Sequence, residues 1–167
     1  MAKRSITERT LRDTIYRVKR GLCGYVSYLA ACEMNEAFSE YVLYEPVLRI
    51  LKERGFHVRC EYPCPGIEQP STGDKKKLDF FATKARIKFA LEVKWARQSN
   101  VSFAGDAEKL RAVRSQRPSC RAYLCVFGRL SILNRLSKVP LGFREWGTPS
   151  VADLRKTKYC CRVFILR

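Results

Sequence analysis

The sequence predicts an α/β fold with a mixed central β-sheet flanked by helices, and three observations predict it. Apolar residues recur at helical spacing before Gly55. Strand-like runs dominate after it, and one helix-forming segment separates the third run from the fourth. At 167 residues the chain suits a single domain. Within it we read a basic helical N-terminal extension (1–32), a core (33–128) and a C-terminal strand extension (129–167).

Taken in order, Ile6, Leu11, Ile15 and Val18 lie near helical spacing between Ser5 and Arg20, with Gly21 as the expected stop. The remaining face of this helix is charged and basic, as a solvated face is. A second helical region covers Glu33 to Gly55, and Pro46 either kinks it or starts a new helix near Glu45. "FHVRCEYP" then reads as a strand, "CPGIEQPSTGDKKK" as a loop, and "KLDFFAT" and "RIKFALEVKW" as two strands of an antiparallel hairpin closed by "TKAR". "GDAEKLRAVRSQ" forms the next helix, with Asp106 at its start and Pro118 beyond its end. "RAYLCVFG" is a buried strand, a Gly- and Pro-bearing stretch runs from Val139 to Pro149, and "YCCRVFIL" supplies the last strand.

Charge narrows the partner. There are 33 Lys and Arg against 16 Asp and Glu, a formal net charge of +17. Such self-repulsion opposes compaction unless the partner is a polyanion, and nucleic acid is the foremost candidate. No stretch approaches the ~20 apolar residues of a spanning helix, and the N-terminal residues carry neither a secretion signal nor an acid-poor transit peptide. A cytoplasmic protein is expected, with no membrane partner. The eight cysteines are expected as reduced thiols in apolar strands, and none has the two-residue gap of a zinc knuckle. His57 has no second histidine to work with, and no phosphate-binding glycine loop or nucleophile motif is present.

Asp79 and Glu92 are acids set inside apolar strands. Alternation along the third strand puts Glu92 and Lys94 on one face and Phe89, Leu91, Val93 and Trp95 on the other. Asp79 is expected to share a face with Phe81, opposite Leu78 and Phe80. With Ala82 facing Ile87, Asp79 would lie diagonal to Glu92, about 7–8 Å away. Two carboxylates so close repel, and a cation relieves them. Oxygen donors suit Mg²⁺ or Mn²⁺. Lys94 would stand beside that ion and stabilise charge on a phosphate under attack. The competing reading is an ordinary ion pair with Lys77, Lys88 or Lys94.

An acid-bearing helix, then Asp79, then Glu92-Val93-Lys94 preceded by "FAL" resembles the PD-(D/E)XK nuclease superfamily across roughly Glu36 to Gly128. Leu78 stands where that motif writes proline. The resemblance implies the restriction-endonuclease-like fold, an αβββαβ core that here carries an extra N-terminal helix and a C-terminal strand. It also implies a divalent-metal-dependent endonuclease acting on DNA, less often RNA, and in many members a dimer. A third carboxylate comes from the preceding helix in many members. Helical phase favours Glu40, aligned with Tyr44, Val47 and Leu51, and leaves Glu45 and Glu36 as alternatives. The expected catalytic set is therefore Glu40, Asp79, Glu92 and Lys94, with Glu40, Asp79 and Glu92 on the metal and Lys109, Arg111 and Arg114 as basic contacts to nucleic acid. The alternatives are a nucleic-acid-binding module of the same fold that does not cut, or an RNase toxin.

Overall fold

The computed structural model describes residues 6–34, 38–73, 75–136, 139–154 and 157–167. It shows an α/β architecture in which seven strands form one mixed sheet with helices on both faces.

Helix α1 spans Ile6–Ala31, running through the glycine expected to stop it. Leu11, Ile15, Val18, Leu22, Val26 and Leu29 are all buried, a stripe at steps of three and four that continues past Gly21. Gly21 is retained for a packing reason. A Cβ there would lie 2.2 Å from Ile50 Cδ1, so the bare backbone lets α1 pass close to the next helix.

The second helical region divides. A 3₁₀ turn, Tyr41–Leu43, leads into α2, Tyr44–Glu53. Pro46 falls in the first turn of α2, where backbone N–H groups have no helical acceptor to lose. Gly55, at φ 76°, ends it: its N–H donates to the Lys52 carbonyl and that of Phe56 to the Leu51 carbonyl, a Schellman closure.

Strands β1 (His57–Pro63), β2 (Lys77–Lys84) and β3 (Ile87–Ala96) form an antiparallel meander. Helix α3, Ala104–Gln116, carries the chain to β4, Arg121–Arg129, parallel to β3. A short α4, Leu130–Leu133, precedes β5 (Phe143–Glu145), β6 (Ser150–Leu154) and β7 (Thr157–Leu166). The sheet order is β1-β2-β3-β4-β7-β5, and β6 also pairs with β7. Three strands thus follow the core where one was expected. β5 and β6 lie end to end along one edge of β7, facing Phe164–Leu166 and Thr157–Cys161 respectively. They are too short, and too broken by Gly147 and Pro149, to register as apolar runs.

Two further expectations change. The hairpin turns on Ala85 and Arg86 alone, with Ala85 at φ 49°, so Ala82 faces Phe89 and not Ile87. Strict alternation also fails in β2. Leu78 and Phe81 pack together on the α3 side, whereas Phe80 and Ala82 pack on the side of α1 and α2. The reversal falls at Asp79, beside Glu61 of β1, whose φ is 49°.

Candidate functional site

β2 and β3 part company at the two acids. Their pairing ends at Phe80–Leu91, although β1–β2 continues to Pro63–Lys77 and β3–β4 to Ala96–Gly128. In the fork, carboxylates replace the missing ladder. The Asp79 N–H donates to Glu92 Oε1 at 3.2 Å, and the Val93 N–H donates to Asp79 Oδ2 at 2.7 Å. Each strand's acid therefore satisfies a backbone donor of the other, which holds both carboxylates in one place.

Both acids are buried, Asp79 to 8% and Glu92 to 1% exposure. Burial raises the Asp79 pKa. The Tyr44 hydroxyl, the Val93 N–H and the Lys109 charge pull it back, and Asp106 pushes it up again. Burial and then the Asp79 charge push Glu92 up to about 9, with Lys109 opposing. Tyr44 is itself shifted upward by burial and by Asp79.

The ammonium group on Glu92 belongs to α3. Lys109 Nζ donates to Glu92 Oε2 and to the Lys77 carbonyl, and lies 3.6 Å from Asp106. Burial works against its charge, but Glu92, Asp79 and Asp106 together outweigh that and raise its pKa. Lys94 shares the face of Glu92 as alternation requires, yet it points between two other acids, 3.9 Å from Glu40 and 3.8 Å from Asp106. Glu40 accepts the Trp95 N–H at 2.9 Å. Four carboxylates and two ammonium groups thus line one end of the fork: Glu40, Asp79, Glu92 and Asp106 with Lys94 and Lys109.

The chain matches no protein-family model, no curated protein and no solved structure. The site must therefore be read from its own residues.

Of the helix acids, Glu40 reaches β3, Glu45 pairs outward with Arg49, and Glu36 lies outside the described residues. Arg111 donates to the Leu141 carbonyl, Arg114 to the Pro118 and Cys120 carbonyls, and Lys109 faces inward. Two contributors were absent from the expected set. Tyr44 reaches Asp79 from the start of α2, and Asp106 lies three residues before Lys109, where helical spacing brings the two together.

Among the described residues, no group of three His, Cys, Asp or Glu side chains is placed to share one metal ion. Asp79 and Glu92 alone still suit a hard divalent cation. Mg²⁺ is commonly held by one or two carboxylates with water and substrate phosphate completing the shell. These two acids, both shifted toward protonation, gain from an added positive charge.

Proposed function

We propose that the chain is a divalent-metal-dependent phosphodiesterase with a restriction-endonuclease-like core, hydrolysing phosphodiester bonds in DNA. The observation that carries this reading is the clasp of Asp79 and Glu92 at the strand fork, with Lys109 against it. The element order α2-β1-β2-β3-α3-β4 agrees with it. So does the charge of +17, which attracts a polyanion.

Asp79 and Glu92 would hold Mg²⁺ or Mn²⁺. Bound there, such an ion would supply the positive charge that draws in a phosphate and stabilises the charge building on it. The remaining work falls to the chain. Tyr44 orients the Asp79 carboxylate, and Lys109 opposes the upward shift that burial and Asp79 impose on Glu92. Lys94, with 30% of its side chain exposed, is placed to meet a phosphate oxygen. Glu40 and Asp106 hold its ammonium in place until it does.

A second reading has its own observation. Lys109 already neutralises Glu92, and a site satisfied from within could belong to a nucleic-acid-binding module that does not cut. Purified protein with plasmid DNA, or with RNA, in Mg²⁺ or EDTA separates the readings. We expect Mg²⁺-dependent cleavage of DNA, lost in Asp79→Asn and Glu92→Gln, while binding in EDTA persists. Cleavage of RNA alone would make the substrate RNA. No cleavage, together with a melting temperature indifferent to Mg²⁺ and Mn²⁺, would leave the binding module.

A further inference from the structure

A cleft of about 800 Å³ lies away from the carboxylates, between the first half of α1, the β2–β3 turn, the start of β4 and β5. It lies on the α1 face of the sheet, where Tyr123 and Ile165 pack, whereas Glu92 engages α3. Lys88, in its wall, precedes Glu92 by four residues, or about 13 Å of strand.

Its lining is cationic. Arg12, Lys19, Arg86, Lys88, Arg121 and Arg144 line it against Glu8 and Glu145, and Glu145 is engaged by Arg162. Apart from Lys19 these cations are exposed. Among the described residues other than Glu8, no carboxylate forms an ion pair with any of the six. Such a cluster repels itself at the cost of the fold, and an anion removes the cost.

Lys19 adds a second, independent observation. Its side chain is 1% exposed, yet its Nζ meets only neutral groups: the Thr148 carbonyl at 2.5 Å, and the Trp146 and Tyr16 rings at 5.4 and 5.9 Å. A buried ammonium without a counter-charge is costly. Negative charge arriving in the cleft would supply one.

We infer that this cleft binds the phosphodiester backbone of a nucleic acid at a site separate from the carboxylates. A polymer fits better than a lone phosphate because the cations are spread out. From Lys88 on β3 to Arg144 on β5 the sheet order spans three strand spacings, about 14 Å. One strand of duplex offers a phosphate every 3.4 Å or so along that length. Binding here does not require the carboxylate site to cut, so the test is made in EDTA.

The probe is a fluorescein-labelled 20-base-pair DNA followed by anisotropy across a salt series. Replacing Arg12, Arg121 and Arg144 by Gln should weaken binding at least tenfold and lower the log–log salt slope by about two to three. A control of equal charge, Arg49→Gln, Lys52→Gln and Lys158→Gln, should lose less than threefold. Equal losses would show that overall charge alone binds DNA and would overturn the cleft. So would displacement of the DNA by millimolar pyrophosphate at matched ionic strength, which would mark a site for small phosphates. A readout without cleft substitutions uses Trp95→Phe protein, leaving Trp146 as the only one of the two tryptophans. Its emission should change on adding unlabelled DNA, and unchanged emission during binding would count against the assignment.

Discussion

Glu92 is held at both carboxylate oxygens: one meets the Asp79 N–H and the other Lys109. Removing Lys109 should leave Glu92 Oε2 and the Lys77 carbonyl without their donor. Lys109→Met is expected to cost about 2 kcal/mol in urea unfolding at pH 8, whereas Lys94→Met, at a part-exposed and longer-range pair, should cost less than about 1 kcal/mol. Equal costs would mean that Lys109 is not the partner the fold depends on. The pH dependence has a definite sign. Folded Glu92 keeps its proton to about 9, while the unfolded chain releases it near 4.5. The native state therefore holds more protons across that window, and stability is greatest below it and falls as pH rises through it. Without metal, the melting temperature should drop from pH 5.5 to 8.5 by about 5 °C, equivalent to roughly 2 kcal/mol in a chain of this size. Glu92→Gln should flatten that slope, and an unchanged slope would place the titrating group elsewhere.

At the scale of elements, the candidate site depends on strands that do not pair completely. Parting β2 from β3 leaves N–H groups that the acids satisfy, so the two residues proposed to hold a metal also close the fork. The glycines of the supporting elements divide by what surrounds them. At Gly128 a Cβ would sit 2.5 Å from the Ala96 carbonyl oxygen, inside the parallel β3–β4 ladder that carries Glu92. Gly128→Ala should destabilise by about 2 kcal/mol. Gly24, within α1, has open space where its Cβ would be. Gly24→Ala should stabilise by about 0.5–1 kcal/mol through helix propensity. Thermal melts of the two variants check both signs, and a loss at Gly24 would show that α1 is not helical there.

Across the whole molecule, +17 of net charge is distributed over a core built on both faces of one sheet. Among the described residues no helix is long and apolar enough to cross a membrane. Self-repulsion of the cations should be screened by salt. Raising NaCl from 20 to 500 mM is expected to increase the melting temperature by several degrees while DNA affinity falls by a factor of 10³ or more. A melting temperature that falls with salt would mean that attractive pairs outweigh the repulsion.

The strands of the core, the helix between β3 and β4 and the common face of Glu92 and Lys94 were all legible in the order of residues, because side-chain periodicity is a local property of the backbone. Glu40 does reach β3, but from the turn before the 3₁₀ segment and not from the helix face that its phase predicts. What lay beyond local periodicity came from contacts distant in sequence. Gly21 reads as a helix stop until Ile50 is seen against it. β5 and β6 have no apolar signature and exist as strands because β7 offers an edge. Likewise the two-residue turn moved the hairpin register by two, which keeps parity but brings Asp79 level with Glu92. The sequence by itself determined which acids are buried and which strands carry them. Only the tertiary structure decided that Lys109, not Lys94, neutralises Glu92, because an ion pair forms between groups that separate elements bring together, and no local period records that meeting.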